Sequence, residues 1–271
     1  MADDPMENQD QAGLQHIPTG FALSLHSRRS SIVARGRRDV ANSASSGPYQ
    51  RAVEEFNAGN FSAAAAAFQQ AAEQGHAESQ YLLSTMYDSG QGIAQGIAQD
   101  EAQAAYWERK AAEQGHAYAQ ANLSFRYYAA NDYAEAFAWC ERAAHNHLAW
   151  AQYNLGLMYR KGEGVAQNNA EAARWYRLAA VQDFPEAQQK LADLYYLGQG
   201  VPRSYSQAAE WYRRAANHGN AEAQFQLGHL YSLGQGVEHD YTQSRHWTRQ
   251  AAQQGHEQAI RELKRRQYRD P

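Results

Sequence analysis

The chain has 271 residues, with 25 basic and 29 acidic side chains, a formal net charge of −4 and a single cysteine. One cysteine excludes an intramolecular disulfide and fits a reducing compartment. No stretch reaches the roughly 18–20 apolar residues of a membrane span, and no basic footprint for nucleic acid runs through the body of the protein. Ala and Gln are abundant and only 6 prolines occur, which predicts an all-helical chain with close, Ala-lined contacts.

Residues 1–48 show no hydrophobic period and are rich in Ser and Arg, a composition that predicts a disordered segment. The first ten residues are acidic and lack an apolar run, which argues against a signal or transit peptide. Within this segment, Arg28-Arg29-Ser30-Ser31 matches a basophilic kinase site with Ser31 as acceptor. A Ser-rich start is also a candidate secretion address. The expected compartment is the cytoplasm, with a secreted effector as the alternative.

Residues 49–76 read as a helix pair, and from Ala77 the chain repeats itself. Units begin at Ala77, Ala117, Ala149, Pro185 and Ala221, giving 77–116, 117–148, 149–184, 185–220 and 221–256. The fourth position is always Gln: Gln80, Gln120, Gln152, Gln188 and Gln224. The seventh is Leu83, Leu123, Leu155, Leu191 and Leu227, and the eleventh is Tyr87, Tyr127, Tyr159, Tyr195 and Tyr231. Residues three, seven and eleven are four apart, a helical stripe. The eighth position is always small (Ser84, Ser124, Gly156, Ala192, Gly228), which predicts a close helix–helix approach there. A first helix, A, then stops at Gly-x-Gly-Val in the last three units, the first Gly suiting a left-handed helix end. A second helix, B, carries one Trp per unit (Trp107, Trp139, Trp175, Trp211, Trp247) and an Ala-Ala pair. Residues 257–271 read as a closing helix with a basic tail.

Two units depart from the pattern. The first doubles Gly92-Ile93-Ala94-Gln95 as Gly96-Ile97-Ala98-Gln99, and removing the copy restores the register of its neighbours. The doubling reads as a tandem insertion in a tolerant A–B loop. The second has Ala129-Ala130-Asn131-Asp132 in place of Gly-x-Gly-Val.

Catalytic patterns are missing. No P-loop, Rossmann fingerprint, Gly-x-Ser-x-Gly or His-Glu-x-x-His occurs. His76, His116 and His256 take equivalent turn positions and so lie far apart. His145 and His147, with only Cys140 and Glu141 nearby, make a poor ligand set. Cys140 aligns with Tyr176 and Tyr212 and reads as a packed thiol. Neither metal nor cofactor is expected.

The text "AEAQFQLGHLYSLGQGV…HWTRQAAQQGH" and its sister units over 77–256 resemble the Sel1-like repeats, relatives of the tetratricopeptide repeats. The resemblance implies an all-α right-handed superhelix, a solenoid of helix pairs, with 49–76 as a tetratricopeptide-like cap and 257–271 as the closing cap. It also implies a non-enzymatic adaptor or scaffold that binds a protein or peptide in a concave groove lined by positions 2, 5, 9 and 12 of helix A. Here those positions point to Tyr118, Phe125, Tyr128, Trp150, Tyr153, Leu157, Arg160, Tyr196, Phe225 and His229 as groove residues. Aromatics and Arg on an open face suit a binding hot spot. An immunity-type inhibitor would use the same surface. A cell-envelope enzyme or beta-lactam binder of this family would carry paired cysteines in each unit, which this chain lacks.

Overall fold

The computed structural model describes residues 47–89 and 100–267. Ser31, the rest of the N-terminal segment and the doubled block at 92–99 lie outside the described residues. Among those described, all regular structure is helical, in thirteen α-helices. They fall into two compact parts, divided between Gln114 and Gly115. The first contains α1 (Pro48–Ala58), α2 (Phe61–Glu73), α3 (Ala77–Ser89) and α4 (Glu101–Glu113). The second contains α5 (Ala117–Ala129), α6 (Tyr133–His145), α7 (Ala149–Lys161), α8 (Asn169–Ala180), α9 (Pro185–Leu197), α10 (Tyr205–Asn217), α11 (Ala221–Leu233), α12 (Tyr241–Gln253) and α13 (Glu257–Gln267). Within each part every helix packs on the next in sequence. Each part is therefore an all-α solenoid of A–B helix pairs, in which a unit buries its apolar face only by stacking on its neighbours.

The repeated columns are the core. Leu83, Leu155, Leu191 and Leu227 are fully buried, and the Ala-Ala pairs of the B helices are buried beside them except for the half-buried Ala252. Trp107, Trp139 and Trp175 are buried, whereas Trp211 and Trp247 pack only partly against the core. The small eighth position does what its size requires. A Cβ on Gly156 would lie 2.6 Å from the Tyr176 ring, and one on Gly228 would lie 2.8 Å from Thr248 Oγ1. Helix A therefore presses directly on its own helix B.

The Gly-x-Gly loops carry a second constraint. Gly162, Gly198 and Gly234 end their helices in the left-handed region, at φ 76°, 71° and 64°. The second glycines, Gly164, Gly200 and Gly236, are also left-handed, and a Cβ on each would fall on the backbone of Tyr133, Asn169 or Tyr205. Each loop thus presses on the start of the previous unit's helix B. Any side chain at the second glycine would push neighbouring units apart.

Two recurring polar residues tie the turns together. The side chains of Gln80, Gln152, Gln188 and Gln224 donate to the carbonyls of Ala72, Ala144, Ala180 and Ala216 in the preceding helix B. An amide at the end of the unit's own helix B then donates to the Gln side-chain oxygen: Gln114 to Gln80 at 2.6 Å, Asn146 to Gln120 at 2.9 Å, Gln182 to Gln152 and Gln254 to Gln224, both at 2.8 Å. In unit 185–220 the amide is replaced by His218, and the buried Gln188 Oε1 has no partner. His76, His116 and His256 are helix N-caps, each Nδ1 accepting the amide proton three residues on at 3.2 Å.

Candidate protein-binding face

The face to be tested is formed by positions 2, 5, 9 and 12 of the A helices in the second part, α5, α7, α9 and α11. Phe125 on α5 stands out from it, 43% exposed. Tyr118 and Tyr128 flank it on the same helix and are half-buried. Tyr128 donates to Glu163 at 3.0 Å and meets Tyr133 edge-on at 5.1 Å. Burial first, and then the Glu163 carboxylate, push its phenol well above the usual range.

Two residues expected on the open face are instead packed inside the chain. Trp150 is 8% exposed and Leu157 is 6% exposed. Leu157 belongs to one continuous core with Tyr176, Leu191 and Leu194, so position 9 of α7 fills the contact with the next unit. A helical wheel shows which way a side chain points, but not how near the next helix lies. Tyr153 is intermediate: its ring centroid is 5.3 Å from Phe184 and 5.9 Å from Tyr176. Arg160, Tyr196, Phe225 and His229 are half-buried. Tyr196 meets Tyr205 edge-on at 5.3 Å, and Phe225 stacks on His256 at 4.8 Å.

The floor of the face in α9 and α11 is charged, at Asp193 and Glu222, which helical spacing places at positions 9 and 2. Asp193, at position 9 of α9, is buried and accepts hydrogen bonds from Tyr212 at 2.6 Å and Gln189 at 2.5 Å, with Lys190 Nζ at 3.8 Å. Burial raises its carboxyl to about 6, against the opposing pull of Lys190 and the Tyr212 hydroxyl. Burial, and then Asp193, push the Tyr212 phenol well above its ordinary value. Glu222 lies 2.9 Å from His256 Nε2 and 2.7 Å from Gln226 Nε2. Burial, the largest single influence, would raise its carboxyl, but these two hydrogen bonds together with the His256 and Lys190 charges hold it below the usual range. The available signal was an acid at position 9, where the other units have Thr85, Phe125, Leu157 and His229.

Other titratable and thiol groups have structural surroundings. Cys140 is fully buried and donates to the Ala151 carbonyl at 3.4 Å; burial pushes its thiol up to about 12. His145 meets Trp175 edge-on at 5.3 Å, and His147 sits in a turn at φ 60°. Among the described residues no group of three or more His, Cys, Asp or Glu could hold a metal ion, and no helix is long and apolar enough to cross a membrane.

The sequence pattern of the Sel1 repeat matches residues 60–76, 77–116, 117–147, 151–183, 185–220 and 221–256. The chain belongs to the Sel1 repeat family. Among solved Sel1-type structures, it is 33% identical to a protective antigen of uropathogenic Escherichia coli with an SLR fold, at a TM-score of 0.71 over 83% of this chain. The match spans 49% of that antigen, so this chain corresponds to about half its length. A Sel1 repeat protein from Oxalobacter formigenes is 35% identical, with a TM-score of 0.56, over 69% of this chain and 75% of its own. No curated protein matches. In this Sel1 repeat protein Cys140 is buried and outside any disulfide, and Phe125 stands exposed between the half-buried Tyr118 and Tyr128.

Proposed function

We propose that the protein is a non-enzymatic scaffold that holds a partner protein or peptide against the A-helix face of its second part. The observation that carries this reading is Phe125. It is a large apolar side chain left 43% exposed among the half-buried aromatics Tyr118 and Tyr128 of the same A helix. Clustered exposed aromatics mark interaction surfaces, because burying them against a partner removes much apolar area from water at little entropic cost. Tyr153, Tyr196 and Phe225 extend the same face with rings already held in place by their neighbours. Preorganised rings lower the cost of binding.

The test is a titration of the purified partner, captured first from the native cell, against wild type, Phe125→Ala and Tyr241→Ala. Tyr241 is an exposed aromatic away from this face. An affinity loss of about tenfold or more for Phe125→Ala, on the order of 1.4 kcal/mol, with Tyr241→Ala unchanged, is the expected result. Equal affinity of wild type and Phe125→Ala overturns the reading.

A further inference from the structure

Four of the five units close the turn after helix B in the same way. A side-chain amide at the end of helix B donates to the oxygen of the recurring glutamine, at distances between 2.6 and 2.9 Å. Unit 185–220 does not. Its glutamine, Gln188, is fully buried, and the side-chain oxygen has no partner. In the amide's place stands His218, the C-cap of α10. The His218 side chain is 46% exposed, and its Nε2 lies 4.0 Å from Asp183 Oδ1 in the turn between α8 and α9. The same Asp183 oxygen accepts from Gln188 Nε2 at 3.4 Å. His218 therefore sits at a junction with two acceptors, a carboxylate and an unanswered amide oxygen.

Donor count decides what the ring can do there. A neutral imidazole carries one N–H, and an imidazolium carries two. Both acceptors are answered together only by the charged ring, and a histidine gains that charge within the range of pH 5–8. The other charges on the elements that meet here have partners of their own. Lys190 on α9 lies 3.8 Å from Asp193, Arg214 on α10 lies 2.7 Å from Glu210, and Glu222 on α11 lies 2.9 Å from His256. Arg177 on α8 and Arg213 on α10 donate to the hydroxyls of Tyr195 and Tyr231. Glu186, at the start of α9, is exposed to water. Asp183 is the carboxylate placed to answer a charged His218.

We propose that His218 is a proton-operated latch: uncharged, it leaves the turn of unit 185–220 open, and charged, it bridges Asp183 and Gln188 and closes that turn as the amides close the others. This goes beyond the proposed function, because it needs no partner and lies in the turns rather than on the A-helix face. The junction between units 149–184 and 185–220 then tightens as pH falls. Junctions closed by Gln or Asn, whose amides do not titrate, keep their bridges throughout.

The test is hydrogen exchange on the full chain, read at Gly219 and Asn220. Their amides donate to the carbonyls of Ala216 and Ala215, so their protection reports local opening of this turn. In wild type, protection should rise about threefold or more between about pH 8 and about pH 5.5, the effect of one modest hydrogen bond. In His218→Gln it should be high at both pH values, because the amide needs no proton. Any pH effect from Asp193 or His256 is common to both chains and cancels in the comparison. Asp183→Asn, which keeps a side chain that tolerates the left-handed backbone at φ 59°, should remove most of the rise in wild type. An equal rise in wild type and His218→Gln overturns the proposal. So does wild-type protection that already matches His218→Gln at pH 8, no rise in wild type, or a rise undiminished by Asp183→Asn.

Discussion

The two parts of the molecule share one register and differ in almost everything the register leaves free. Both bury the Leu and Ala columns, and both use the glutamine bridge across the turn. At the helix-B position that faces the small residue of helix A, the second part has Cys140, Tyr176, Tyr212 and Thr248, whereas the first has Glu108, only 2% exposed. The first part is strongly acidic; the second is balanced and presents aromatics. The lesson is that the recurring columns encode stacking, and a unit's individual character lies in positions 2, 5, 9 and 12 and in that one buried helix-B position.

Variants can break or sharpen this division, beginning with the largest effect. Trp175→Ala empties a buried column position and should cost about 3–5 kcal/mol in urea unfolding. A loss below about 1 kcal/mol would show that the Trp column is not core in the second part.

Asp193 gives the next effect. Its folded carboxyl is raised to about 6 from 3.8, so the folded state holds this proton more tightly than the unfolded one. Its contribution is fully present below about pH 4 and is lost as pH rises through 6. At about 1.36 kcal/mol per pKa unit the swing is on the order of 2–3 kcal/mol. Asp193→Asn should flatten the stability profile across that window, measured by denaturant midpoints at several pH values. An unchanged slope would contradict burial as the cause of the raised Asp193 carboxyl.

The orphaned oxygen of Gln188 offers a smaller, stabilising change. His218→Gln restores the amide found in the other units and should add about 0.5–1.5 kcal/mol. A lower melting temperature would show that His218, whose Nε2 lies 4.0 Å from Asp183, already satisfies this turn. Smallest of all, deleting Gly96–Gln99 should leave the melting temperature almost unchanged, since loop length enters stability only logarithmically.

The period, the helix pairs and the packed columns were legible because equivalent positions recur at helical spacing. The glutamine column was visible, but its bridge was not, because the donating amide lies some thirty residues away at the end of helix B. The second glycine of each loop likewise gained its meaning only from the neighbouring unit. For the binding face, spacing located Phe125 correctly as an exposed ring but put Trp150 and Leu157 beside it in the open. Both are covered within the chain, and Leu157 shares a core with Leu191 and Leu194 of the next A helix. The pairing of Asp193 with Tyr212 was hidden for the same reason: it needs two helices brought face to face.

The most direct test of the central claim is photocrosslinking in the native cell. A photoreactive phenylalanine analogue is placed at position 125, and in separate chains at the exposed positions 106 and 241. The account predicts one discrete crosslinked partner from position 125 and none in common with 106 or 241. A partner captured from 106 or 241 but not from 125 would contradict it and move the working surface off the A-helix face.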